Sequence, residues 1–226
     1  MQYQINTEAL TLLLASTFLT ALAAGVILTS LMIRFSRHIG AFDRPDGRLK
    51  RHQRPTPTLG GVPLFLAMTA GMCIAIYFAR VMAPMMNGLF INPSPLIGAA
   101  VGALIIMFLG VKDDLHRVRP GTKLLFQAIA SMCCILAGLT IHRINCFGLV
   151  AFDLQALAVP FTLFWLVGSC NAFNFIDGMD GLASGIGVIL AVLLGILALA
   201  GGFAGPAVIA LALAGALLAI WMFNLH

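Results

Sequence analysis

The chain has 226 residues, 61% of them hydrophobic and only 9% charged, with a formal net charge of +5 and a mean hydropathy of +1.02. Soluble domains carry roughly 25% charged residues, so this composition excludes a soluble globular protein and points to an integral membrane one. The positive balance does not indicate nucleic acid: the Lys and Arg residues cluster between long apolar runs, where they act as topology signals and phosphate-facing groups.

A stretch of about 20 uncharged residues crosses the hydrocarbon core of a bilayer. The chain offers seven, at 9–33, 59–79, 95–111, 124–141, 156–170, 182–200 and 206–223, which predicts an all-α, polytopic helical bundle in a single membrane domain. No basic segment precedes the first run, so it is expected to be a retained span and not a cleaved signal. The third span starts late because Pro84, Asn87-Gly88, Asn92-Pro93 and Pro95 are turn-forming. A bend is expected near Pro160 in the fifth. Gly201-Gly202-Phe203-Ala204-Gly205-Pro206 divides the last apolar run into two helices. The five cysteines (Cys73, Cys133, Cys134, Cys146 and Cys170) are odd in number and mostly inside apolar runs, which argues against a disulfide framework.

With seven spans the termini fall on opposite sides. Placing loops 34–58, 112–123 and 171–181 in the cytoplasm puts eleven of the thirteen Lys and Arg residues there, all but Arg80 and Arg143. The positive-inside rule therefore predicts the N-terminus outside and the C-terminus cytoplasmic. This orientation brings two acidic clusters and one basic loop to the same face.

The first acidic cluster is Asp113-Asp114, in Lys112-Asp-Asp-Leu-His116-Arg-Val-Arg119. Adjacent carboxylates repel one another, and hard oxygen donors suit Mg²⁺ or Mn²⁺. The plainer explanation is a solvated loop in which Lys112, Arg117 and Arg119 offset the acids. The second is Asn171-Ala-Phe-Asn174-Phe-Ile-Asp177-Gly-Met-Asp180-Gly181, followed by a stretch to His226 without any Asp, Glu, Lys or Arg. A charge at bilayer mid-depth costs roughly 2.5–3.5 kcal/mol, so these acids belong at a water interface. Asp177 and Asp180 are three apart and share a face if the next helix has begun, where acids complement the helix dipole. A helix cap would need only one of them. Asn171 and Asn174 either recognise a nucleobase or sugar amide or satisfy loop backbone. The third cluster, Lys50-Arg51-His52-Gln53-Arg54-Pro55-Thr56-Pro57-Thr58-Leu59-Gly60-Gly61, sets cations and hydroxyls ahead of a helix N-terminus, an anion site in form. Attraction to anionic lipid would alone explain Arg34, Arg37 and Arg44.

Carboxylates for a divalent metal, facing a phosphate cradle at a membrane surface, suit metal-assisted phosphoryl transfer between one soluble and one membrane-bound substrate. The three motifs together resemble the polyprenyl-phosphate N-acetylhexosamine-1-phosphate transferases, in the family's order and across essentially the whole chain. The resemblance implies transfer of a sugar-1-phosphate from a UDP-N-acetylhexosamine to undecaprenyl phosphate, with release of UMP, in the presence of Mg²⁺. The setting is a bacterial inner membrane with a cytoplasmic active face, at the start of surface-glycan assembly. By position, Asp113, Asp114, Asp177 and Asp180 are the implied catalytic residues, and Asp113, Asp114 and Asp177 the implied metal ligands. Lys50, His52, Thr56, Asn171 and Asn174 are the implied substrate-binding residues. The Asn-Ala-Phe-Asn-Phe-Ile-Asp form looks closer to the N-acetylglucosamine-phosphate branch than to the peptidoglycan-precursor branch. Membrane lipids are expected partners, nucleic acid is not, and a homodimer is left open.

Family members continue past a Phe-Asn-Leu-His-like segment into a loop with a further Asp, whereas this chain stops at His226, so it is expected to lack the C-terminal part. A secondary transporter is one rival; it would place ionisable groups near the midplane, often with internal repeats, and none is evident. A non-catalytic fragment of such an enzyme is another. The CDP-alcohol phosphotransferases require an Arg after the Asp-Gly motif, and no Arg follows Asp177.

Overall fold

The computed structural model describes residues 7–40, 42–43, 56–82, 93–146, 150–177 and 181–224. Every apolar run forms a helix: α1 (Thr7–Ile39), α2 (Gly61–Val81), α3 (Ser94–Leu115), α4 (Pro120–Leu136), α5 (Ala158–Ile176), α6 (Leu182–Ala200) and α7 (Ala204–Phe223). Six of these regions are long and apolar enough to cross a membrane, and α4, with 17 residues, is the shorter exception. The protein is therefore a multi-pass helical membrane protein. Two small antiparallel ladders supplement the helices, β1 (Phe42–Asp43) with β2 (Thr56–Pro57), and β3 (Arg143–Cys146) with β4 (Val150–Asp153).

Several boundaries differ from the sequence expectation, each for a local reason. Helix α1 runs six residues past 33, and Arg37 and His38 in its last turn complement the negative end of the helix dipole. Helix α3 continues beyond 111 through Lys112, Asp113 and Asp114. Helix α4 begins at Pro120, where a proline lacks no needed donor, and ends well short of 141. Its end is a Schellman motif: Gly138, at φ +100, donates its N–H to Ile135 O, and Leu139 donates to Cys134 O. The same motif closes α6, with Gly202 at φ +77 donating to Leu199 O and Phe203 to Ala198 O. Pro160 is the third residue of α5, inside the first turn where helix N–H groups have no intrahelical acceptor, so no bend is needed there.

The chain divides into two units, Met1–Ile91 with Ile176–His226, and Asn92–Phe175. In the first, α1, α2 and α7 pack on one another and α6 packs on α7. The buried face of α1 repeats every four residues as Ala9, Leu13, Thr17, Ala21, Gly25 and Thr29. Gly25 lies against Ala67 and Ala219, and Gly71 against Ala21 and the Thr17 carbonyl. These contacts set α2 antiparallel to α1, so the C-terminal ends of α1 and α7 and the N-terminal end of α2 share one end of the unit. Large apolar side chains such as Leu19 and Ile27 point outward, more than half exposed. Small residues inside and large ones outside is the pattern of helices packed in lipid, where close backbone approach replaces the hydrophobic drive.

In the second unit α3 packs on α4. Gly98 faces Cys133 O and Ala137, Gly102 faces Cys134 Sγ and Ala130 O, and Ser94 Oγ donates to Ala137 O at 3.2 Å. The two helices are thus antiparallel, with the start of α3 beside the end of α4.

Candidate active site

Asp113 and Asp114 lie in the last turn of α3. Carboxylates at that end face the negative pole of the helix dipole, at a cost of typically 0.3–1 kcal/mol, roughly. Asp113 is half-buried and both its oxygens are engaged: Oδ2 pairs with Lys123 Nζ at 2.5 Å, and Oδ1 accepts the Val118 N–H at 2.9 Å. The second contact folds the connection 116–119 back onto the helix end; the first offsets the dipole conflict of Lys123 in the first turn of α4. Asp114 is exposed, as are Lys112, His116, Arg117 and Arg119.

One turn along α4 from Lys123 stands Gln127, which is buried. Its Oε1 accepts from Asn171 Nδ2 at 2.8 Å, and the same Nδ2 group donates to Val167 O at 2.8 Å. Because Lys123 and Gln127 are four residues apart on one helix face, Asp113 and Asn171 arrive at the same end of the second unit. Asn171 and Asn174 both lie within α5, three residues apart and exposed, where the sequence reading placed a loop. The helix persists there because residues 171–176 contain no proline or glycine. The Asn171 amide thus has a defined structural partner, with its Oδ1 carbonyl on the other side of the group.

Asp177 is the first residue after α5 and is exposed. It does not stand in the first turn of α6, whose N-cap is Gly181 at φ +68. The shared-face argument for Asp177 and Asp180 therefore does not apply to Asp177, which adjoins a helix C-terminus, as Asp113 and Asp114 do. A side chain at Gly181 would meet Asn224 O at 3.3 Å and the Trp221 ring at 3.5 Å; one at Gly185 would meet Trp221 Nε1 at 3.0 Å. The glycines at this turn admit the indole of α7 and seat the start of α6 against the end of α7.

The basic loop enters α2 through the β1–β2 ladder, with Asp43 opposite Thr56 and Phe42 opposite Pro57. Leu59 is buried yet holds φ +74, a left-handed conformation uncommon for a branched side chain. It is followed by exposed Gly60 and Gly61, and no side chain caps the helix that starts there. The Val62 and Leu64 amides donate to Leu59 O and Gly60 O and Pro63 has no N–H, so an anion-binding role for this helix start falls to the amides of Gly60 and Gly61. Lys50, His52 and Asp180 lie outside the described residues. Among the described residues no three His, Cys, Asp or Glu side chains gather as a metal-binding group.

Three neighbours of these positions were not reached from the sequence: Lys123, Gln127 and Trp221. Lys123 stood in a run of basic residues with nothing to single it out. Gln127 is a polar residue in an apolar run, a signal that was available, but its partner is 44 residues away. Trp221 is one of only two tryptophans.

Comparison with known proteins gives these positions a context. The family model for glycosyl transferase family 4 matches residues 96–226. The chain is 30% identical over 210 residues to a probable undecaprenyl-phosphate N-acetylglucosaminyl 1-phosphate transferase of Bacillus subtilis, covering 92% of this chain and 55% of that protein. It is 31% identical over 225 residues to a decaprenyl-phosphate N-acetylglucosaminephosphotransferase of Mycobacterium tuberculosis, covering 94% and 54%. Against a phospho-N-acetylmuramoyl-pentapeptide-transferase of Shouchella clausii it is 32% identical, covering 90% and 64%. The chain spans about half the length of the first two relatives.

Proposed function

The chain belongs to glycosyl transferase family 4, and on that premise we propose that it transfers a sugar-1-phosphate, N-acetylglucosamine-1-phosphate in the first instance, from a UDP-sugar to undecaprenyl phosphate with release of UMP. The observation that supports this reading is that Asp113, Asp114 and Asp177 all stand at helix C-termini, in the two acidic motifs of an otherwise weakly charged chain. The names of the relatives supply the substrate class. The loops bearing these residues face the cytoplasm of a bacterial inner membrane in this reading, because the basic residues cluster on that side.

The residues fit a divalent cation by their donor chemistry. Mg²⁺ keeps several waters and takes one or two carboxylates plus substrate phosphates, so a pre-assembled group of three protein ligands is not required. The family resemblance implies Asp113, Asp114 and Asp177 as its ligands, and Asp113 keeps lone pairs that Lys123 and the Val118 amide leave. When bound, the ion would supply charge neutralisation on the diphosphate.

In the reaction a terminal oxygen of the lipid phosphate attacks the phosphorus that carries the sugar. The bond from that phosphorus to the bridging oxygen breaks, and UMP departs with that oxygen. A phosphate monoester has a second pKa near 6, so at pH 7 roughly nine-tenths is dianionic and attack needs no general base. Lys123 orients Asp113, and Gln127 fixes the Asn171 amide. Thr56, Lys50 and His52, in the loop ahead of α2, are the residues assigned to phosphate binding in this reading. Asp180 is the fourth catalytic carboxylate that the resemblance implies.

The test is UMP release with undecaprenyl phosphate, comparing UDP-N-acetylglucosamine with UDP-N-acetylmuramoyl-pentapeptide as donor. It is run on the chain itself and on a fusion to the part of the Bacillus subtilis relative that the chain does not cover. Turnover of the first donor is expected, and Asp113→Asn, Asp114→Asn and Asp177→Asn should each lower it by about a hundredfold or more. Full activity in any of the three removes that residue from the site. A trapped aspartyl-phosphosugar would replace direct attack by a two-step route.

A further inference from the structure

The β3–β4 hairpin takes no part in the proposed chemistry. Its register pairs Arg143 with Asp153, Ile144 with Phe152, Asn145 with Ala151 and Cys146 with Val150. Directly opposed residues of an antiparallel ladder share a face, and successive residues alternate faces. One face of the hairpin is therefore Arg143, Asp153, Asn145 and Ala151; the other carries Ile144, Phe152 and Val150. On the first, Arg143 and Asp153 pair at 3.5 Å in the open. On the second, Phe152 and Val150 are exposed, at 57% and 49%. A two-stranded hairpin with an uncovered apolar face is marginal in water.

Its position says what covers it. The Ile141 N–H donates to Thr162 Oγ1 at 2.9 Å, and Thr162 is buried in α5 and bonds Ala158 O. Thr162 is four residues into α5, so the base of the hairpin is pinned within about 6 Å of the start of a membrane-spanning helix. The Leu154 N–H to His142 O bond closes that base. The lipid-facing surface of the flanking helices continues up to it: Leu136 ends α4 at 80% exposure and Leu157 precedes α5 at 65%. Four strand residues reach about 13 Å sideways, enough to lie along the bilayer boundary. The start of α3 is at this end, and Asp113 is 19 residues further along that helix, about 28 Å away.

We infer that the β3–β4 hairpin is an interfacial anchor that rests its Ile144–Phe152–Val150 face in the headgroup–acyl boundary, in the leaflet opposite Asp113, with Arg143 and Asp153 turned to water. The occupant of the apolar face is phospholipid. The inference goes beyond the transferase reading and stands independently of it.

The experiment places a single tryptophan at Phe152→Trp or at Asn145→Trp in a Trp165→Phe, Trp221→Phe background, in nanodiscs so that both membrane faces meet the solvent. Trp at 152 should emit at shorter wavelength, be quenched by brominated lipid and resist iodide; Trp at 145 should be quenched by iodide. Iodide quenching at 152 without lipid quenching would overturn the proposal, because the face would then lie in water. Quenching by neither would overturn it too, because protein would then cover the face. Hydroxyl-radical labelling of the unsubstituted chain provides a second reading: Phe152 should be protected several-fold in nanodiscs relative to detergent-free unfolded chain, and His142 should not. Equal protection of the two residues, each measured against its own unfolded reference, would sink the proposal without any substitution.

Discussion

The two oxygens of Asp113 have different partners, and this separates the fold from the chemistry in any substitution there. Asp113→Asn keeps an acceptor for the Val118 amide and weakens only the Lys123 pair. Both members are about a third exposed, and pairs of that kind contribute about 0–1 kcal/mol. Thermal unfolding in detergent should therefore shift little in this variant even where UMP release is lost. Thr29 is the opposite case. It is buried on α1, its Oγ1 has no hydrogen-bond partner among the described residues, and an unsatisfied buried hydroxyl costs about 1–3 kcal/mol. Thr29→Val keeps the shape and removes the polar atom. It should leave stability unchanged or raise it by about 1 kcal/mol, read as a higher unfolding midpoint. Neither partner of Asp113 could be assigned from the sequence, because Lys123 stands among eleven similar cations on the same predicted face.

Within elements, much of the structure follows from spacing. The four-residue repeat on α1 and the glycines ending α4 and α6 are visible in the chain as written. Asp113 and Asp114 stand out in the chain as an acidic pair but not as helical, since a charged pair after an apolar run reads equally well as a loop. Asn171 and Asn174 were likewise misplaced, because the helix simply continues through polar residues at the membrane edge. The hairpin escaped notice since four residues of alternation are too few to distinguish a strand from a turn. On α3 two glycines give contrasting expectations. A methyl group at Gly102 would press on Cys134 Sγ at 2.9 Å and Ala130 O at 3.0 Å, whereas at Gly110 it would meet nothing within 4 Å. Gly102→Ala should cost about 1–3 kcal/mol through overpacking against α4. Gly110→Ala should stabilise by about 0.4–1 kcal/mol. The two midpoints should move in opposite directions in one unfolding assay, which separates packing from propensity.

For the whole molecule, the all-α class and the division into spans were set by hydropathy, and the sidedness rests on the distribution of Lys and Arg. Sidedness can be measured directly. In a cysteine-free background, His38→Cys at the end of α1 and His142→Cys beside the β3–β4 hairpin should react with a membrane-impermeant maleimide from opposite sides of sealed inverted vesicles. The first should react from the cytoplasmic face. Reaction of both from one side would refute the assignment of loops.

Helix α4 has 17 residues and is closed at one end by Pro120 and at the other by its glycine. At 1.5 Å per residue it is about 26 Å long, a few ångströms less than a hydrocarbon core of roughly 30 Å. Hydrophobic mismatch of this sign draws the two lipid leaflets together around the helix. The protein should accordingly be more heat-resistant in bilayers of shorter acyl chains than in those of longer ones. It should also gather where membranes are thin.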